Sequence, residues 1–311
     1  MRVIASYILK GPLQAAMAAG LSAIVSVSAP FVLKLLLIYF CGVVIALVTL
    51  RLGGRKGLLV LSIAVAAAIL AGQMLQINAQ IRLDLWNSVY LWVLVWVCAG
   101  ILYARRSLIL TLEVAGLVGV ITIVLFFTMV ENPLQLSRGL LEPMRPLLSQ
   151  SQSGLSRAEI DKMLGGAANI LAGSIEAYTV MGALISLLIA RSWQARLFNP
   201  GGLQLEFRTL RVGKKVGWLT LAGIVAMYFA SSLGVQLSLI LLNISIVIGL
   251  LYVIVGLGVV HGLLALRENP GFWLVGLYAL LIILSKLMIP VLMTLALSDV
   301  WLNYRNRFAR S

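Results

Sequence analysis

A charged side chain at the middle of an apolar helix costs about 2.5–3.5 kcal/mol on insertion scales, so one that is present calls for a partner or a task. Lys34, Glu113, Glu176 and Lys286 all stand inside long apolar runs of this chain. Lys34 lies near the start of its run and Glu113 close to Arg106. Both can reach an interface along their own aliphatic stems. Glu176 and Lys286 sit deeper and are the candidates for a polar centre, facing one another or lining a cavity; if 270–302 is a hairpin, Lys286 is instead a loop residue at the membrane surface and the pair dissolves. Tyr178 follows Glu176 too closely to share its helical face, so a partner has to come from another helix. Asn243 is an uncharged group able to bond between helices. Gln73, Gln76 and Gln80 share one face at the outer end of a run. An interfacial helix end explains these three more simply than a ligand site.

Other chemistry is sparse. Cys41 and Cys98 both fall in apolar runs and form neither a disulfide framework nor a metal spacing. The one histidine, His261, stands at the end of an apolar run and reads as an interfacial residue. The sequence shows no phosphate-binding loop, no His-Glu metal motif and no nucleophile elbow. The expectation is a protein that is not an enzyme, with no catalytic residues, no metal and no cofactor.

What holds these residues is a set of membrane helices. Of 311 residues, 61% are hydrophobic and 11% charged, against about 25% charged in soluble domains. Runs of about twenty apolar residues recur, each long enough to cross roughly 30 Å of hydrocarbon, and backbone in lipid must bond to itself. The pattern predicts helices near 12–30, 31–51, 57–77, 87–104, 107–130, 167–190, 216–233 and 236–264. An apolar stretch at 270–302 is interrupted by Lys286 and Pro290, and reads as one kinked helix or as a hairpin of two short ones. The fold class is therefore an all-α polytopic transmembrane bundle of about 8–10 spans, a single integral membrane domain over residues 1–311. Val27-Ser28-Ala29-Pro30 mimics a signal-peptide cleavage site, but the proline disfavours cleavage and the first helix reads as retained.

The net charge of +14 sits mostly in short loops beside the runs. Arg51, Arg55 and Lys56, then Arg105 and Arg106, then the segment 191–215 are basic, while the alternate connections are neutral. The positive-inside rule places the N-terminus and the basic loops in the cytoplasm of a bacterial inner membrane. Anionic headgroups account for the charge, and no nucleic-acid partner is implied. The hairpin reading of 270–302 is preferred because it returns Arg305, Arg307 and Arg310 to the basic side. The external connection 131–165 contains a flexible-looking stretch at 149–154, then a capping box in Ser156 and Glu159. Its leucines lie on the outer leaflet or belong to a solvated linker. Trp86 and Trp92 read as an aromatic belt at one interface, and Trp193, Trp218 and Trp273 at the other.

The loop 191–215 has the most specific local sequence. Asn199-Pro200-Gly201-Gly202 is a strong turn signal. Beyond it, Leu203, Phe207 and Leu210 align on one face and predict an amphipathic helix over 203–212, lying on the membrane surface or docking a partner. Asn199-Pro200-Gly201-Gly202, Glu206-Phe207 and Leu210-Arg211 resemble the signature of the YybS-like family of bacterial membrane proteins of unknown function. Asp299, Trp301 and Arg305 resemble its C-terminal pattern, and the basic turn 51–57 is similar too. That family has been grouped with the substrate-capturing S-components of uptake transporters and with the rod-shape protein MreD. The resemblance therefore implies one of two roles. The first is a small-molecule-binding transport subunit, S-component-like, that needs a separate energising partner. The second is a membrane scaffold for cell-envelope or cytoplasmic partners. The bilayer is the one certain partner; a protein at 191–215 and a small-molecule ligand are the others expected.

Overall fold

The structure, a computed structural model, describes residues 2–76, 78–150, 156–232 and 234–308. Residues 151–154 of the external connection, the side chain of Gln80 and Arg310 lie outside the described residues. The chain is 88% helical, with no strand among the described residues. Among the described residues, seven helices are long and apolar enough to cross a membrane, and the chain is a polytopic integral membrane protein.

Local sequence sets the helix ends. After a short α1 (Arg2–Ile8), α2 (Pro12–Ser28) opens on a proline, which needs no backbone donor in a first turn. Pro30 separates it from α3 (Phe31–Leu52). Gly53, at φ 91°, makes the abrupt reversal into α4 (Gly54–Met74), a conformation that a side chain would strain. The Asn78 side chain accepts from Ile81 N–H to start α5 (Ala79–Arg105), and Ser107 accepts from Leu110 N–H to start α6 (Leu108–Met129).

The external connection folds into two short helices, α7 (Pro133–Leu141) and α8 (Met144–Gln150). Arg145 ties them to each other through Glu142 and to the next helix through Asp161. That next helix, α9 (Arg157–Phe198), begins at the full Ser156–Glu159 capping box. It is 42 residues long, about 63 Å at 1.5 Å per residue, twice what the bilayer needs. Its first turns lie outside the hydrocarbon and support α7 and α8.

The second half is built round one helix. α10 (Gly202–Arg208) and α11 (Lys214–Tyr228) lead through a short 3-10 turn to α12 (Val235–Leu264). α13 (Pro270–Ile283) and α14 (Ser285–Leu302) follow, then α15 (Tyr304–Phe308). Gly256 of α12 lies against the backbone of Leu292, and Gly262 against Arg305. α14 thus runs in the same direction as α12, and α13 must run the opposite way. The stretch 270–302 is a hairpin that leaves one end of α12 and returns to it. The break falls at Leu284, before Lys286 and Pro290, and Pro290 sits inside α14.

The basic connections gather at one end of the bundle. Gln194 donates to Leu50 O, the Arg51 guanidinium lies over Phe198, and Arg305 donates to Arg208 O. At the opposite end Lys34 pairs with Asp84 at 3.1 Å, and Gln236 donates to Phe127 O. Trp92 corrects the aromatic-belt expectation. It is fully buried and donates its indole N–H to Ile38 O, because the α3–α5 contact leaves that carbonyl region room for a ring with one donor.

Candidate functional site

Glu176 lies on α9 about 22 Å from Arg191 along the helix axis, inside the bundle and 5% exposed. Three other helices surround it. The Tyr90 hydroxyl of α5 donates to Glu176 Oε1 at 2.7 Å. Thr122 of α6 lies 2.9 Å from the Tyr90 hydroxyl oxygen. Gly119 of α6 leaves the space the carboxylate occupies, since a Cβ there would come within 3.3 Å of Oε1 and 2.9 Å of Val247 on α12. A second bond joins the same two helices: Thr179 of α9 donates to Asn87 Oδ1 of α5 at 3.2 Å.

Among the described residues Glu176 has no counter-charge. The ion pairs among the described residues are Lys34–Asp84, Arg145 with Glu142 and Asp161, Arg191–Glu206, and Arg305–Asp299. The pairing with Lys286 is not formed, as the hairpin reading of 270–302 requires. Lys286 stands in the first turn of α14, beside the hairpin break, with its side chain exposed. There it can extend toward a headgroup region. Asn243 is likewise not the partner of Glu176.

Asn243 instead grips α9 one turn away. Its Oδ1 accepts from Gly173 N–H at 2.6 Å and its Nδ2 donates to Asn169 O at 2.8 Å. Those two backbone groups are the donor and acceptor of one rung of α9, so the amide of α12 bridges a rung of its neighbour's hydrogen-bond ladder. Only glycine at 173 permits it, because a Cβ would fall 2.6 Å from Asn243 O. Asn243 therefore fixes how α9 sits directly above Glu176.

The remaining sequence candidates divide. Gln73 and Gln76 are exposed at the end of α4, and Gln76 has left the helix with φ 47°; neither comes to the polar centre. The loop motif and the tail motif meet each other at the basic end. Arg211 donates to the carbonyls of Asp299 and Val300 at 3.2 and 2.9 Å. Asp299 is fully buried; it accepts from Tyr304 N–H and from Arg305 Nη2, while Arg305 Nη1 reaches Arg208 O. Trp301 meets Trp218 edge to face. Glu206 pairs with Arg191 of α9. Asn199, Pro200 and Gly201 are exposed, with Gly201 at φ 85°, and Gly202 opens α10.

The predicted amphipathic helix over 203–212 is corrected in length and facing. α10 stops at Arg208, and Leu203, Phe207 and Leu210 turn toward the bundle. Phe207 meets His261 edge to face, and Leu210 is buried where Gly258 lets the chain approach. The glycines of α12 offered a complementary surface that the loop sequence alone could not reveal. Phe198 and Leu205 point outward instead.

Sequence reading missed Tyr90, Thr122, Asn87 and Thr179. Asp84, Asn87 and Tyr90 recur every three residues on α5, and that stripe was the available signal. Tyr90 was absorbed into an apolar run because its ring is apolar and its one polar atom is at the tip. Comparison of the chain with protein families, with curated proteins and with solved structures finds no match.

Proposed function

We propose that this chain is a small-molecule-binding transport subunit of a bacterial cytoplasmic membrane, with Glu176 at its polar centre. The observation that carries this reading is a buried carboxylate with one hydroxyl donor and no counter-cation among the described residues. Ionisable groups in membrane bundles are costly and concentrate on substrate and ion pathways. A purely structural polar contact is met more cheaply by an amide, as Asn243 does nearby. The YybS-like resemblance supports the same reading through its grouping with S-components. Like them, the chain would depend on a separate energising subunit. The N-terminus and basic end face the cytoplasm by the charge asymmetry of the loops, which puts Glu176 in the outer half of the bilayer.

Solute accumulation in cells tests the proposal. Cells expressing the chain should take up at least one solute that cells lacking it do not, and Glu176→Gln at equal membrane abundance should abolish the difference. Identical accumulation profiles with and without the chain would refute it.

A scaffold reading, similar to MreD, is favoured by the exposed Phe198 and Leu205 on either side of the 199–202 turn. A partner would read that outward rim and not Phe207, which the bundle has already engaged. Leu205→Asp should then release it, whereas Phe207→Asp should damage the fold.

A further inference from the structure

We propose that the cluster Glu176–Tyr90–Thr122 is a binding site for one exchangeable proton, held on Glu176. This rests on the transport reading only for its biological use; the site itself stands on the bonding geometry. Three oxygen–oxygen contacts link four groups in a row. Glu176 Oε1 and the Tyr90 hydroxyl are 2.7 Å apart, Tyr90 and Thr122 hydroxyls 2.9 Å, and Thr122 Oγ1 and Val118 O 3.0 Å. Each contact is a hydrogen bond only if a hydrogen lies in it. Two hydroxyls supply two hydrogens. With Glu176 ionised, one of the three links is left as oxygen against oxygen.

A single added proton completes the row. Carried on Oε1, it donates to Tyr90. Tyr90 then donates to Thr122, and Thr122 to the helical carbonyl of Val118. Removing it reverses both hydroxyls: Thr122 donates to Tyr90, and Tyr90 to the carboxylate. The balance is one proton taken from or returned to water, with no other bond made or broken. The ligand is therefore a proton, and its arrival turns round a chain that joins α9, α5 and α6.

Among the described residues, no charged group nearby competes for this role. On α5, Asp84 is two turns outward and engaged with Lys34 of α3, and the Cys98 thiol lies two turns the other way, buried. On α6, Glu113 lies toward the basic end beside Gly213 N–H. α12 carries no charged residue from Val235 to Val260, and faces the site with Val247. On α3, Tyr39 meets Tyr178, on another face of α9. Arg145 is held by Glu142 and Asp161 outside the membrane.

Infrared difference spectra of the full chain in lipid nanodiscs, recorded across a pH series, test the site. The expected result is a protonated-carboxyl band that titrates, disappears in Glu176→Gln, and moves in frequency in Tyr90→Phe. Coincident spectra of wild type and Glu176→Gln in the carboxyl region would overturn the proposal. So would a carboxylate band that responds to sodium at fixed pH with no protonated counterpart. If Glu176→Gln does not fold, Tyr90→Phe decides, and an unmoved band overturns the site. Titration without solute uptake would leave the proton site standing and remove the transport reading; uptake without titration would do the reverse.

Discussion

At the scale of single residues, the most informative side chain is Asn243. Its two bonds to one rung of α9 are the kind of interhelical contact worth about 1–2 kcal/mol in a membrane. Asn243→Leu should lower stability by about that much in a detergent-unfolding titration. Gly173→Ala should cost more, because the new methyl meets backbone that cannot rotate aside. Glu176→Leu should destabilise the bundle by stranding the Tyr90 hydroxyl, a loss of about 1–3 kcal/mol, whereas Glu176→Gln keeps an acceptor for it and should unfold at nearly the wild-type detergent fraction. The sequence made Glu176 and Asn243 conspicuous because a polar residue in an apolar run is rare by composition alone. It could not name their partners. Tyr90 and Thr122 look ordinary in a membrane helix, and which helix faces which is decided by where glycines let backbones approach, a property of pairs of runs and not of either one.

At the scale of elements, the spans were legible and their ends were less so: the helix expected at 87–104 runs Ala79–Arg105, and the one expected at 167–190 runs Arg157–Phe198. Pro12 and Pro30 bracketed α2 and the Ser156–Glu159 box marked the start of α9, whereas the Asn78 cap opens α5 in a polar stretch that lies outside the apolar run. The hairpin at 270–302 was favoured by the charge of the tail, but the position of its break, at Leu284, was not legible because no proline or glycine marks it. That hairpin is held by the joined loop and tail motifs. Asp299→Ala should release it, since it leaves Arg305 Nη2 and the Tyr304 N–H without their acceptor. The expected cost is about 3 kcal/mol, the low end for breaking a buried pair, read as early detergent unfolding and faster proteolysis at 265–269. Arg305→Lys should not substitute, because one ammonium cannot reproduce the planar fork that serves Arg208 O and Asp299 together. The external helices respond to acid instead. Bonding to Arg145 holds the Glu142 carboxyl below its usual 4.5. Its contribution is therefore present above that value and is lost as pH falls through the lowered one. Protection of the α8 amides, taken relative to intrinsic exchange at each pH, should fall on acidification in that range; protection that does not change with pH would mean that Arg145 is not what orders it.

At the scale of the whole molecule, residue 204 in the loop and residue 306 in the tail belong to the same end of the bundle, because Arg305 bonds to Arg208 O. Cysteines placed at Gln204 and Asn306 should both resist an impermeant reagent applied from the periplasm and both react in inside-out vesicles. Labelling of one without the other would break the fold described here, and labelling of both from the periplasm would invert its orientation. The hairpin also constrains how the protein is made. α13 has 14 residues, about 21 Å, too short to anchor across roughly 30 Å of hydrocarbon by itself. It cannot be handed to the lipid first and wait for its successor, as a long span can. α13 and α14 have to enter together as a folded pair, drawing Lys286 inward at the leading edge, and they need the glycine-lined side of α12 already in place to receive them. The expected order of biogenesis is then α12 first as a template, the pair second, and the Asp299–Arg211 contacts last, closing the pair onto the loop.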